Sequence, residues 1–290
     1  MSSGTCCVSK TEYAQIGDIP VHRTAIVEEG AQLGNNVKIG AFCFVGKNVI
    51  LEDNAELKTH VVIDNKVTIG AGTSIHSFAV IGGSPQNIKH HGIGAEIIIG
   101  KNNIIREHVT INIGTEIDEM KTVIGDNCFI MIGVHIAHDC MLGNNVIMAN
   151  NTTLGGHIHI EDNVFIGGLS AIHQFVRIGN CAMIGGASAV ARDVGPFVIA
   201  RGNEATIIGL NTIGLKRNGF SDDEICSLRK AYQILFDTSP GRNIGVGLKD
   251  LEKKFTGEKH VEYVLKFFKT KSIRGIYRPK IVYNEKTQQI

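Results

Sequence analysis

The chain has 290 residues, 34 of them Gly and none Trp, and only 6% are aromatic. That length allows one large or two modest domains, without the bulky side chains of a thick globular core. A formal net charge of +1 gives no support to nucleic-acid binding or electrostatic membrane docking. No run of 18 apolar residues occurs and the first 25 residues lack an apolar signal core, so no integral membrane segment is predicted and the chain is expected to be cytoplasmic.

Residues 1–17 read as a disordered polar leader carrying Cys6 and Cys7, which receive no role. From there to residue 195 a period of six governs the chain. Val27, Leu33, Ile39, Val45, Leu51, Leu57, Ile63, Ile69, Ile75 and Ile81 fall on every sixth position. After an interruption the rule resumes at Ile124 and continues through Ile130, Ile136, Leu142, Met148, Leu154, Ile160, Ile166, Ile172, Ile178 and Ile184 to Val190. Two residues before most of these aliphatics stands a small or β-branched side chain, such as Val37, Ala55, Val61 or Ala79, and Gly often follows, as at Gly34, Gly40 and Gly46. Residues two apart on a strand share a face, so both point inward, while Gly, Asn and Asp permit the bend that follows. Three such sides close a triangular coil of 18 residues, and coils stack through parallel-strand hydrogen bonds about 4.8 Å apart. The predicted fold is an all-β solenoid of hexapeptide repeats. A sandwich of antiparallel strands would need no fixed period. Cys43, Cys128, Cys140 and Cys181 are assigned to small inward positions, as buried hydrophobes.

Two segments break the period: Gly83–Glu96, which contains Gln86, Lys89, His90 and His91, and a shorter one near Ile113–Lys121. A solenoid gains no stability by ejecting a loop, so the first is read as a wall of a binding cleft. Past Val194 and Pro196 the grammar changes, and residues 196–290 are assigned to a C-terminal helical domain and tail. Ser221 and Glu224 form a capping box ahead of Ile225, Leu228, Tyr232, Leu235 and Phe236 at helical spacing. A second helix is predicted around His260–Lys271, and the tail after Arg274 is expected to be extended or partly disordered. Such helices cover the open end of a solenoid.

With an 18-residue coil, residues that agree modulo 18 stack. His138, Gly156 and Gln174 therefore share one corner column; Asp139 and His157 lie one residue to one side and His173 to the other, with His135 nearby. Corner side chains are expected to point out of the solenoid. Convergence of three histidines from successive coils argues against ordinary surface residues; zinc binding is one use of such a cluster, although Cys or carboxylate partners other than Asp139 are not evident.

ValHisIleAlaHisAspCys at 134–140, AlaIleHisGlnPhe at 171–175, GlyGlyAla at 185–187 and GlyLeuLysArgAsnGlyPhe at 214–220 resemble the UDP-N-acetylglucosamine 3-O-acyltransferase family, over residues 18–275. The resemblance implies a left-handed parallel β-helix for residues 18–195, a homotrimer with active sites in clefts between subunits, and the first step of lipid A biosynthesis. A 3-hydroxyacyl chain would pass from the 4'-phosphopantetheine thioester of acyl carrier protein to the sugar of UDP-N-acetylglucosamine, with no other cofactor and no metal. It implies His138 as general base, Asp139 as its orienting partner and the Gly156 N–H as oxyanion donor. Gln86, Lys89, His135, His157, His173, Gln174, Asn211 and Arg217 would bind substrate, Arg217 near the nucleotide phosphates. Gly186, stacked below Gly168 and Asn150, would set acyl-chain length, its missing side chain leaving room for a long chain. Asn87, Asn112, Ile213 and Asn218 depart from the family's usual residues. Transfer to a 3-amino sugar analogue, N-acylation at a later lipid A step and a zinc carbonic anhydrase of the same fold remain alternatives.

Overall fold

The computed structural model describes residues 13–16, 19–88 and 94–279. Short strands recur every six residues, beginning with Ile26–Val27, Gln32–Leu33 and Lys38–Ile39. The second residue of each is the inward aliphatic. At corners the chain must turn sharply, and Asn36, Asn54, Asn127, Asn145 and Asn163 do so in the left-handed region at φ between 55° and 59°, which Asn tolerates better than most residues. Coils stack in parallel register: Leu33 on Leu51 and Leu51 on Ile69, Ile39 on Leu57 and Leu57 on Ile75. Among the described residues this yields sheets of 12, 8 and 9 strands. The core is a continuous column in which Ile39, Leu51, Ile63, Ile75 and Ile81 are completely buried. Each stabilises the fold by about 1.5–3 kcal/mol relative to exposure.

The two breaks in the period behave as insertions. Ile69 pairs with Ile99, and Ile99 with Ile124, so these steps are longer than a coil although the pairing is uninterrupted. Between the loops stands a complete coil built from Glu96–Ile99, Ile104–Ile105 and Thr110–Asn112. Ile99, Ile105 and Ile111 keep their own period of six, displaced from the preceding series by the first loop.

The cysteine assignments hold at three of four positions. Cys43, Cys128 and Cys140 are buried, and their thiols lie against carbonyls of the next coil, Cys140 Sγ at 3.1 Å from Gly155 O. Burial pushes the Cys140 thiol up to about 12. Cys181 is not an inward hexad residue. It occupies a corner at φ 54° and is buried because the helical region covers it, its carbonyl accepting from Asn211 Nδ2.

Both predicted boundaries shift. Within the expected leader 1–17, Tyr13–Ile16 is a strand pairing antiparallel with Ile19–His22, and Val21 pairs with Ile39; Cys6 and Cys7 lie outside the described residues. At the other end the sheet runs beyond residue 195. Val198–Arg201 adds in parallel to Met183–Ile184, and Thr206–Leu210 folds back antiparallel on it. Val198 and Ala200 keep the inward alternation after the period of six is lost.

Among the described residues four helices follow where two were expected: α1 (Thr212–Arg217), α2 (Asp222–Leu235), α3 (Ile244–Lys254) and α4 (Lys259–Lys269). The capping box of Ser221 and Glu224 is formed. α3 escaped detection because Gly245 and Gly247 weaken its helical pattern, although Asn243 caps it. The helices close the solenoid: Tyr232 donates to Pro196 O, and Arg177 pairs with Asp193 while lying over the Phe267 ring at 4.5 Å. The predicted tail is partly docked, with Tyr277 buried and its hydroxyl accepting from Ala191 N; residues from 280 lie outside the described residues. No helix among the described residues is long and apolar enough to cross a membrane.

Candidate active site

The column of His138, Gly156 and Gln174 forms as the register requires. His138 follows the strand His135–Ile136, and His157 N donates to His138 O from the coil above. A Cβ on Gly156 would stand 2.5–3.0 Å from three atoms of the His138 ring, so the imidazole occupies space that only glycine leaves open. Among the described residues the Gly156 N–H has no protein partner, whereas its neighbours Gly155 and His157 both donate.

Asp139 organises the histidine. Its Oδ2 lies 2.8 Å from His138 Nδ1 and accepts from Thr115 Oγ1 at 2.6 Å, while Oδ1 accepts from Thr115 N at 2.8 Å. Burial opposes the charge on Asp139, but the hydrogen bonds from His138 and Thr115 outweigh it and hold the carboxyl below its ordinary range. An ionised carboxylate only accepts, so His138 donates through Nδ1 and Nε2 is left as the basic nitrogen. His135 sits one turn away with Nδ1 at 2.8 Å from Thr110 Oγ1; burial and the nearby His138 push its proton affinity down, which favours a neutral ring.

The outward-pointing corner needs correction. His138 and His157 leave the solenoid core but are buried, at 8% and 6% exposure, because the second insertion folds back over the corner and supplies Thr115 and Asp118. His157 is stacked on Phe175 at 4.5 Å, lies edge-on to His138 at 5.0 Å and places Nδ1 2.8 Å from Asp118 Oδ2. Thr115, Asp118 and Phe175 were not singled out from the sequence. The two loop residues lie off the register and carry no periodic signal. Phe175 had one, standing one coil above His157 in the same column.

The remaining predicted residues are distributed more widely. His173 and Gln174 are exposed on the coil above Gly156, and His173 Nδ1 donates to Gln174 O. Gln86 is exposed on the first insertion, and Lys89 lies outside the described residues. Asn211 is buried and caps α1: Oδ1 accepts from Gly214 N and Nδ2 donates to Cys181 O. Arg217 is exposed in the last turn of α1. Gly186 stacks against Gly168 as the modulo-18 count requires, a Cβ there standing 3.3 Å from Gly168 O. It belongs to a different corner from His138: Gly186 lies between Met183–Ile184 and Ala189–Val190, His138 between His135–Ile136 and Met141–Leu142.

His138, Asp139 and His157 could also hold a metal ion, since one ligand atom from each falls within 4.8 Å of the others. In this arrangement both histidine Nδ1 atoms are already committed to carboxylates, and Asp139 also accepts from Thr115 through each oxygen. The Nε2 atoms remain bare, but the Asp139 oxygens already accept from His138 and Thr115, so a metal ion would have to displace the bonds that orient His138.

The model for bacterial transferase hexapeptide repeats matches residues 30–65 and 121–156, and that for domain 2 of UDP N-acetylglucosamine O-acyltransferase matches 193–277. A Bartonella bacilliformis acyl-[acyl-carrier-protein]–UDP-N-acetylglucosamine O-acyltransferase is 52% identical over 76% of this chain and 80% of its own. A Campylobacter concisus protein of the same name is 41% identical over 88% of this chain and 96% of its own. Among solved structures, a UDP-N-acetylglucosamine acyltransferase from Campylobacter jejuni is 41% identical with a TM-score of 0.82, covering 89% of this chain and 98% of its own. The Francisella novicida enzyme is 35% identical with a TM-score of 0.85, covering 90% and 94%. A left-handed parallel β-helix of hexapeptide repeats, closed by helices and carrying a histidine–carboxylate pair at one corner, defines a hexapeptide-repeat acyltransferase. Within that class the chain belongs to the acyl-[acyl-carrier-protein]–UDP-N-acetylglucosamine O-acyltransferase family.

Proposed function

We propose that this acyltransferase moves a 3-hydroxyacyl chain from acyl carrier protein to the 3-hydroxyl of UDP-N-acetylglucosamine, the first step of lipid A synthesis, with His138 as general base. The observation that carries the mechanism is the His138–Asp139 hydrogen bond, which leaves Nε2 as the proton acceptor. Nε2 takes the proton of the sugar hydroxyl as that oxygen attacks the thioester carbonyl. The Gly156 N–H, one coil above His138, stabilises the oxyanion. Collapse breaks the C–S bond, and the departing thiolate of the 4'-phosphopantetheine arm receives the proton from His138. A thioester is already activated, so neither a covalent enzyme intermediate nor a metal is needed. Incubation with UDP-N-acetylglucosamine and a set of 3-hydroxyacyl carrier proteins, read by mass spectrometry, tests the reading: an O-acylated UDP-sugar is expected. No acyl transfer to it, or transfer only to the 3-amino analogue, would overturn the assignment of acceptor.

The proposed base and acyl ruler occupy different corners of one chain, at opposite edges of the same nine-stranded sheet, and an open sheet face needs a second wall to enclose a substrate. A homotrimer with sites between subunits meets that need. Light scattering at micromolar concentration is expected to give three times the 31.4 kDa chain mass. A fully active monomer would refute the shared cleft.

A further inference from the structure

We propose that Asp118, on the second insertion, is a positioning residue that keeps two neighbouring imidazoles on two separate carboxylates; the proposal rests on His138 being the base. Three titratable groups face His157 among the described residues: Asp118 from the loop at 2.8 Å, Asp139 from the coil below at 3.8 Å, and the edge-on His138 ring. Phe175 covers one ring face from the coil above. His157 therefore has two carboxylates within reach of Nδ1 and bonds only Asp118. Asp139 Oδ2 already accepts from His138 Nδ1 and Thr115 Oγ1, so a third donor there would weaken the bond that orients the base.

Asp118 removes that competition. By accepting the Nδ1 proton it also fixes the His157 tautomer, leaving Nε2 as an acceptor for a hydroxyl or amide N–H of the sugar substrate. The side chain is 39% exposed, so it is not buried to hold the loop together. Without it, a small rotation of the His157 ring in the plane of its Phe175 stack would bring Nδ1 to Asp139 and draw that carboxylate from His138.

Asp118→Ala is expected to lower kcat by about tenfold to a hundredfold, the worth of a hydrogen bond to a charged group, while the KM for the acyl donor stays within a factor of about three. Asp118→Asn, whose Oδ1 still accepts, should recover most of that loss. A double-mutant cycle separates positioning from mere loop support. In a His157→Phe background, which keeps the ring stack but has no N–H to misdirect, Asp118→Ala should add little further loss. Solid-state nitrogen NMR of histidine-labelled enzyme at high pH supplies a readout independent of turnover: His157 should carry its proton on Nδ1 in the wild type and redistribute it in Asp118→Ala. An equal fold-loss in both backgrounds, wild-type kcat in Asp118→Ala, or a proton on His157 Nε2 in the unsubstituted enzyme would each overturn the proposal. His138→Ala remaining inactive in any of these cases would leave the assignment of the base untouched.

Discussion

His138→Ala is expected to lower kcat by ~10²–10⁴, the contribution of a positioned general base, while substrate binding is largely retained. The size of the effect follows from the surroundings. Asp139 is held ionised by His138 and Thr115, and Gly156 admits the His138 ring where any side chain would clash, so both the orientation and the space at that point belong to His138. His157 is the adjacent alternative, edge-on at 5.0 Å with Asp118 as its own carboxylate, but its ring is held against Phe175 rather than in the space that Gly156 opens, and the Nδ1 of His135 is engaged with Thr110. The substitution empties space at a corner rather than in the aliphatic column, so the protein should remain folded. Steady-state kinetics with thermal melting as a control checks this: activity within a factor of about three of wild type would reassign the base.

Much of the site was legible because a solenoid converts sequence separation into position. Once 18 residues make a coil, His138, Gly156 and Gln174 must stack, as must Asn150, Gly168 and Gly186, and the structure places both columns as expected. The same arithmetic fails wherever the chain leaves the register. Thr115 and Asp118 reach Asp139 and His157 only through the tertiary fold of an insertion, and no periodicity encodes how a loop returns. This is also why His138 and His157 looked exposed: register specifies the corner but not what covers it. Helix α3 was hidden by its own glycines; Val198–Arg201 keeps the alternation of two without the period of six, and Thr206–Leu210, buried at Ile207 and Leu210, keeps neither. The transition from solenoid to helices is therefore gradual, with two strands extending the sheet before α1 begins.

The specificity of the proposed acyl groove should reside at Gly186. Its backbone is not in the left-handed region, and a Cβ would meet Gly168 O at 3.3 Å and Gly168 N at 3.9 Å, so a side chain enters after a shift of a few tenths of an ångström. Gly186 is exposed in the single chain, leaving the rest of a methionine side chain free to extend into the space beside the coil. If that space holds the end of the acyl chain, Gly186→Met displaces terminal methylenes. Each buried methylene is worth roughly 0.8 kcal/mol, about a fourfold factor, so excluding four lowers the relative rate with a long donor by about two orders of magnitude. A donor short enough to stop before the new side chain loses little, and the preference between the two is expected to reverse. Competition between long and short 3-hydroxyacyl carrier proteins, read as product ratio, measures this directly and cancels any common loss of activity. An unchanged ratio in a folded enzyme would place the end of the acyl groove away from Gly186.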